Sequence, residues 1–420
     1  MASRAKPLRI GCVGLGGYAA NIARLLAKAT QDVQAPVQLT AVCDPALASH
    51  QPLLDELAPL QVAALPSIDA LLATDVEAVW LPVPIDLHRP FTEQALRAGK
   101  AVMCEKPAAG CIDDVDAMIA ARDAAGLPVA IGYQDIYEPS TGWLKRRLVE
   151  GAIGKVTHAT LWACWPRGDD YYNRATWAGA LQRGGTWVLD SPANNALSHY
   201  LNLALFLLGP AAGATAEVVK VEAELYRARP ITCFDTCGLR VTTATGATLL
   251  VLLSHACRKS VAPVIELHGD AGRVVRAPDG VTVYSKAASG EVSETRHPVD
   301  TTRGPMVRRF ARMARGEVVE HEPVATLEVS RAASLCVSAA VQAAPIVDLP
   351  ADPDPNGLRV IPDVEALFEQ CAARNELPSE SGKAPWSQPA RSIDTAGYRH
   401  FAGPAPAPAS PAAASAPRPA

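Results

Sequence analysis

From Leu8 to about Ile136, short apolar runs alternate with segments whose apolar positions recur every three or four residues. That alternation predicts parallel strands joined by right-handed helical crossovers. Strands are expected over 8–13, 37–43, 77–83, 101–104 and 129–133, and helices over 19–28, 67–73, 90–98 and 113–124. Ser67 and Asp113 stand where helix N-caps belong. The whole reads as a doubly wound α/β domain of Rossmann type.

After an amphipathic stretch at 141–150 the runs lengthen and become β-rich, at 155–164, 217–226, 233–243, 248–256, 264–267 and 281–285. The turn signals Ala244-Thr245-Gly246 and Pro278-Asp279-Gly280 join neighbours closely enough for hairpins. The second domain is therefore expected to be α+β, with an open, mainly antiparallel sheet and one helix at 196–208. Apolar alternation in 217–226 and 248–256 exceeds what one helical layer covers, which predicts a subunit contact on the outer face and a homodimer or homotetramer. Helical periodicity returns at 305–314 and 326–343. The segment 346–402 reads as an appended helix and strap. A Pro/Ala-rich tail at 403–420 lacks the apolar surface to order itself. The expected boundaries are thus 1–134, 135–345, 346–402 and 403–420.

Apolar residues make up 49% of the 420-residue chain and charged residues 20%, as in a soluble globular enzyme rather than a disordered or fibrous protein. With a net charge of −4 and no basic run longer than Lys145-Arg146-Arg147, neither nucleic acid nor an anionic membrane is implied as a partner. Ten cysteines lie far apart, and Cys233 with Cys237, the nearest pair, lacks a second pair to complete a zinc site. No metal is expected, and the thiols read as reduced. The N-terminal residues lead straight into a strand without an apolar stretch of signal-peptide length. The most apolar run, 196–208, carries His199 and Asn202 and is shorter than the roughly 20 residues that spanning requires. A cytoplasmic protein is expected.

The first strand runs into Gly14-Leu15-Gly16-Gly17-Tyr18-Ala19 and then a helix, which is G-x-G-x-x-A in its proper context. Gly14 permits the tight turn, and Gly16 lets the backbone approach a pyrophosphate. Ala19 keeps helix and strand close while the helix N-terminus, with Gly17 and Tyr18, faces the phosphates. The second strand ends at Asp44, where a carboxylate can bind ribose hydroxyls and would repel a 2′-phosphate. No Lys or Arg follows in Pro45-Ala46-Leu47. The cofactor read from these residues is NAD, with NADP as the alternative.

The fourth strand closes in Leu81-Pro82-Val83-Pro84-Ile85-Asp86-Leu87-His88 and the fifth in Cys104-Glu105-Lys106-Pro107. With the glycine loop, these segments resemble the Gfo/Idh/MocA oxidoreductases. Pro84 and His88 match the family's T-P-N-x-x-H, Val83 and Ile85 depart from it, and Glu105-Lys106-Pro107 matches E-K-P in full. The likeness continues through Gly132-Tyr133 and Gly151-Ala152-Ile153-Gly154-Lys155. It implies a nicotinamide-dependent enzyme acting on a sugar, inositol or related polyol, with Pro84, His88 and Glu105 on the cofactor side. Lys106 would face both cofactor and the reacting carbon, where an ammonium can polarise a carbonyl or stabilise a developing alkoxide.

The family's D-x-x-x-H-x-x-D motif is broken here. After Gly184-Gly185, Asp190 is kept, but the histidine position reads Asn194 and the second aspartate position Leu197. An amide cannot accept a proton near neutral pH, so Asn194 can only orient a hydroxyl. The acid/base task then falls to Lys106 first, and otherwise to His199 or a tyrosine of the Tyr171-Tyr172 pair. On an ideal helix Asn195 and His199 share a face. Upstream, the loop bearing Trp165, Arg167, Tyr171, Tyr172 and Arg174 suits a carbohydrate, with rings for sugar faces and charges for hydroxyls, and its arginines admit an acidic sugar. Two further readings stay open: an enzyme that cycles tightly bound NAD to drive hydrolysis or elimination, and a non-catalytic sugar-binding regulator.

Overall fold

The computed structural model describes residues 6–31, 37–286, 289–299, 302–317, 322–349 and 351–406; of the Pro/Ala-rich tail, 407–420 lie outside the described residues. The N-terminal half is built on β1 (Leu8–Val13), β2 (Val37–Cys43), β3 (Ala63–Leu65), β4 (Ala78–Leu81), β5 (Ala101–Cys104) and β6 (Val129–Ile131). They form a six-stranded parallel sheet in the order β3-β2-β1-β4-β5-β6. Every residue of β4 and β5 is buried, because helices cover both faces; this is why these strands read as unbroken apolar runs. The short β3 escapes the periodicity, since Ala63-Ala64-Leu65 carries almost no pattern. Strand order reverses between β1 and β4, which opens a crevice at their carboxyl ends.

Helix Tyr18–Gln31 follows the glycine loop, and Ser67 caps helix Ile68–Leu72 by accepting Ala70 N–H at 3.2 Å. Asp113 is not a cap. Helix Ile112–Ala125 starts one residue earlier, behind Cys111, and the Asp113 carboxylate instead accepts the Phe401 N–H at 2.8 Å.

The second sheet comprises β7 (Val156–Cys164), β10 (Val218–Arg227), β11 (Thr236–Thr243), β12 (Thr248–Ser254), β13 (Val261–Gly269), β14 (Gly272–Ala277), β15 (Gly280–Lys286), β16 (Val292–His297), β17 (Ile346–Asp348) and β18 (Arg391–Asp394); a separate hairpin pairs β8 (Gln182–Arg183) with β9 (Thr186–Trp187). All its pairs are antiparallel except β7 with β12 and β10 with β17. β14 and β16 were not expected. Arg273, Arg276, Glu294 and Arg296 break the apolar alternation there.

One face of this sheet, through Leu161, Leu239 and Val251, joins the main core shared with the first sheet. Helix Leu327–Ala343 welds the two, packing on β10 and on helix Ile112–Ala125. The other face departs from expectation: Cys164, Leu250 and Leu252 are covered by Ile361, Val364, Leu367 and Phe368 of the chain's own C-terminal extension. The apolar alternation that suggested a subunit contact is therefore buried within the protomer over β7 and β12. Among the described residues no helix is long and apolar enough to cross a membrane, and all ten cysteines are free and buried.

Candidate active site

The glycine loop is tied down at its start. Gly14 N–H donates to Cys43 O at 2.7 Å with φ at +97°, a conformation that favours glycine. Leu15 N–H donates to Asp44 Oδ2 at 2.9 Å, and Ala46 N–H to Oδ1 at 2.8 Å. Asp44 thus holds the loop in place, and an ionised carboxylate still has acceptor capacity left for ribose hydroxyls. A Cβ added at Gly16 would meet only the His50 ring, at 3.6 Å, so space is kept free above the turn. The groove there, about 490 Å³, is bordered by Gly14, Asp44, Pro66, Ile68 and Phe91, and the cation on its wall, Arg183, is paired with Asp86 at 3.2 Å. It runs past Gly16, Ala19 and Pro84 into a second cavity of about 700 Å³ bordered by Lys106 and His199. A glycine turn at a helix N-terminus, a strand-end carboxylate and an elongated groove fit a dinucleotide: Gly14, Gly16 and Ala19 would take the pyrophosphate and Asp44 a ribose, with the nicotinamide end toward Lys106.

Glu105 and Lys106 reach the larger cavity from the end of β5. Glu105 accepts Trp80 Nε1–H at 3.1 Å and lies over Gly132, where a Cβ would come within 2.7 Å of its carboxylate. Burial raises its carboxyl above the ordinary range. Lys106 Nζ donates to the backbone oxygen of Asn195 at 2.9 Å and to its side-chain oxygen at 3.0 Å. The Asn195 amide in turn donates to Asp190 Oδ1 at 2.7 Å, while Asp190 Oδ2 accepts Gly179 N–H at 2.6 Å. Burial pushes the Lys106 ammonium down to about 8, against the pull of Glu105 and Asp190.

His199 sits at the second position of helix Ser198–Leu207 and borders the same cavity. Its Nδ1 lies 3.1 Å from Asp135 Oδ2, and its ring meets Tyr133 edge-on. The opposite oxygen of Asp135 is 3.3 Å from Arg276, which also reaches Glu138 at 3.2 Å; all three side chains are buried. Burial would raise Asp135, but His199 and Arg276 outweigh it and hold the carboxyl below its usual range. Burial lowers His199, only partly opposed by Asp135. The two directions agree on one state, an aspartate facing a neutral imidazole. Glu138, buried and beside Asp135, is raised to about 7.

The wall opposite the glycine loop is aromatic and cationic. Arg167 stacks on Trp165 and Tyr171, with its guanidinium carbon 5.5 and 4.8 Å from the ring centroids, and Arg174 on Tyr171 and Trp177 at 3.7 and 4.7 Å. Arg303 borders the same cavity, over Tyr18 at 5.4 Å.

Four residues expected at the site stand off both cavities. His88 is buried, with Nδ1 2.7 Å from Pro107 O and Nε2 2.9 Å from Val83 O; it ties together the turns after β4 and β5 rather than touching the groove. Asp190 acts through Asn195. Tyr172 turns to a neighbouring cleft and bonds His255 Nδ1 at 2.9 Å. Asn194 is buried, and its amide donates to Val188 O at 3.0 Å and Gly110 O at 3.4 Å, away from the cavity. The reason is local: 192–197 form turns and the helix begins only at Ser198, so the D-x-x-x-H spacing from Asp190 does not bring Asn194 to the cavity. On the helix itself, His199 and Asn202 stand at the H-x-x-D spacing, with Asn202 in the acidic place. The sequence gives no site signal for several cavity residues, of which three bear on the chemistry. Asp135 follows the flagged Gly132-Tyr133, Trp177 continues the aromatic loop, and Arg303 had no local signal.

Residues 8–133 match the model of the oxidoreductase family with an NAD-binding Rossmann fold, and residues 143–275 that of the GFO/IDH/MocA C-terminal domain. The chain is 26% identical to the inositol 2-dehydrogenase of Rhizobium meliloti over 296 residues, which span 70% of this chain and 82% of that enzyme. It is 39% identical to a dTDP-3,4-didehydro-2,6-dideoxy-alpha-D-glucose 3-reductase of Streptomyces violaceoruber over 95 residues, 22% of this chain and only 28% of the reductase. In fold it is similar to the WlbA dehydrogenase of Bordetella pertussis, whose crystal structure is a complex with NADH and UDP-GlcNAcA, at a TM-score of 0.63 and 22% identity over 80% of this chain and 95% of that one. Both halves of the molecule and the groove between them lead to one assignment: this chain belongs to the Gfo/Idh/MocA family of NAD-binding oxidoreductases.

Proposed function

We propose that the protein is an NAD-dependent oxidoreductase acting on a CH–OH group of a sugar-like polyol, with His199 exchanging the hydroxyl proton and Lys106 stabilising the oxygen. The observation that carries this is that Lys106 and His199 border one cavity, continuous with the glycine-loop groove, and each is braced by a partner, Asn195 and Asp135. When bound, NAD supplies the hydride acceptor or donor. Neutral His199, with Nδ1 turned to Asp135, keeps Nε2 as the acceptor for a hydroxyl proton, and the imidazolium so formed is stabilised by the carboxylate. Lys106, charged below about 8, stabilises negative charge growing on the same oxygen. This order places His199 ahead of Lys106 for the proton, because Asp135 now has a defined position beside it.

The substrate class draws support from the relatives named as inositol and deoxysugar enzymes and from the rings of Trp165, Tyr171 and Trp177. Asp44 supports NAD over NADP, and ten buried free thiols support a reducing, cytosolic setting. A screen of sugars, sugar acids and inositols for absorbance change with NAD and with NADP is the direct test. Silence with every substrate, in a protein shown by titration to bind NAD, would refute the reading. With a substrate in hand, His199→Ala should cost about 10²- to 10⁴-fold in kcat while NAD affinity is kept.

A further inference from the structure

We infer that the substrate carries an oxyanion and that Arg167 and Arg174 hold it. This deepens the reading of the larger cavity as the substrate site and rests on it. Four cationic side chains border that cavity, Lys106, Arg167, Arg174 and Arg303, against two carboxyls, Glu105 and Asp135. Asp135 is already matched by Arg276. Lys106 is committed to Asn195, and Arg303 lies on the glycine-loop side over Tyr18, where a dinucleotide's phosphates would meet it. Arg167 and Arg174 remain, on the opposite wall.

Neither is hydrogen-bonded to a carboxylate among the described residues. Among the described residues Arg167 has no carboxylate partner, and its Nε is buried without a hydrogen bond. Arg174 reaches Asp190 only at 3.9 Å, and both oxygens of that carboxylate are taken by Gly179 and Asn195. Both guanidiniums are nevertheless fixed. They stack on the same Tyr171 ring and are flanked by Trp165 and Trp177, which occupies their faces and leaves N–H edges to bond a ligand, one Arg174 N–H being donated to Tyr171 O. The loop beneath is pinned by the buried Arg229, which donates to the backbone oxygens of Arg167 and Gly357 and to Asp169 Oδ1 at 2.6 Å. Two guanidiniums held still, with one distant carboxylate at 3.9 Å between them, match a carboxylate or phosphate, whose oxygens accept paired N–H bonds; a neutral polyol would leave the excess positive charge unanswered. A carboxylate on the sugar and a phosphate ester attached to it share this chemistry.

The experiment is calorimetric titration of the NAD-loaded protein with glucuronate, glucose 1-phosphate and glucose, alongside an assay of NADH formation with each. An anionic probe should bind at least about tenfold more tightly than glucose, with affinity falling as salt is raised; the better of glucuronate and glucose 1-phosphate identifies the source of the oxyanion. Arg167→Gln and Arg174→Gln should each weaken the anionic probe by about 10- to 100-fold and close its advantage over glucose, with an unchanged NAD titration reporting an intact fold. Equal or weaker binding of both anionic probes than of glucose overturns the inference, even if neutral polyols turn over, in which case the oxidoreductase reading stands. Tight, arginine-dependent binding of an anionic probe without NADH formation upholds the inference and counts against that reading instead.

Discussion

Lys106 is gripped by Asn195 through two oxygens of one residue, backbone and side chain, at 2.9 and 3.0 Å, and Asn195 is itself anchored on Asp190 at 2.7 Å. The relay gives Asp190 a positioning task, although it never reaches the cavity. Asn195→Ala should therefore lower kcat by about tenfold, the worth of one charge-assisted bond, while the Kd for NAD stays within about twofold. A steady-state assay with a separate NAD titration decides it. An unchanged kcat would mean that Lys106 needs no such brace.

The pH profile follows from two directions. Burial places Lys106 at about 8, so its charge is present below that value and lost above it. Burial holds His199 below its ordinary range, so it is already a neutral base at pH 7. In the oxidation direction kcat/KM should be flat through neutrality and fall above about pH 8. Lys106→Ala should lower the plateau by about 10²-fold or more and abolish the alkaline limb. A limb that persists in that variant belongs to another group.

Asn194 and His199 separate what the sequence discloses from what it conceals. The glycine loop, Asp44 and Glu105-Lys106-Pro107 lie at the carboxyl ends of parallel strands, where position along the chain fixes position in space, and each could be read directly. Asn194 takes the histidine position only by the D-x-x-x-H spacing from Asp190, and turns intervene here before the helix starts at Ser198. Arg303 and Arg276 reach the site region and its supporting network from elements more than a hundred residues downstream of Lys106, where no local motif marks them. The outer sheet face looked unpartnered because Phe368 and its neighbours lie far along the chain from Leu250.

With its amide spent on Val188 and Gly110, Asn194 is structural. Asn194→Ala leaves two buried carbonyls without that donor and should destabilise the protein by about 1–3 kcal/mol. Turnover per folded molecule should hold. Chemical denaturation and an active-site titration together test this; a stable but inactive variant would restore Asn194 to the site.

Asp44 both bounds the cofactor groove and holds the glycine loop through Leu15. Asp44→Ala should weaken NAD by about 10- to 100-fold, from lost bonds to a charged acceptor, and should narrow the preference over NADP by removing the repulsion of a 2′-phosphate. Titration of both cofactors into both proteins is the measurement. Tighter binding of NADP than NAD by the unmodified protein would sink the assignment of Asp44.

The C-terminal extension is the helix and strap expected, but it covers the outer face of the second sheet, and this bears on assembly. Helix Val364–Arg374 buries Val364, Leu367, Phe368 and Cys371 against Cys164, Leu250 and Leu252, while β18 adds a strand beside β10. Farther on, Phe401 packs on Trp187 and its N–H bonds Asp113, so the strap runs from the second sheet back to a helix of the first. Phe368 is fully buried, and Phe368→Ala should cost about 3–5 kcal/mol, as for other large core truncations. A chain ending at residue 349 would lose this cover altogether and present the apolar rows of β7 and β12 to water. Such a face on an open sheet is a surface for self-association. The shortened chain should bind a hydrophobic dye and form larger species in light scattering, whereas the full chain should show no association dependent on Leu250 or Leu252. If the shortened chain stays the same size, is silent to the dye and melts at the same temperature, the extension is not what shields this face.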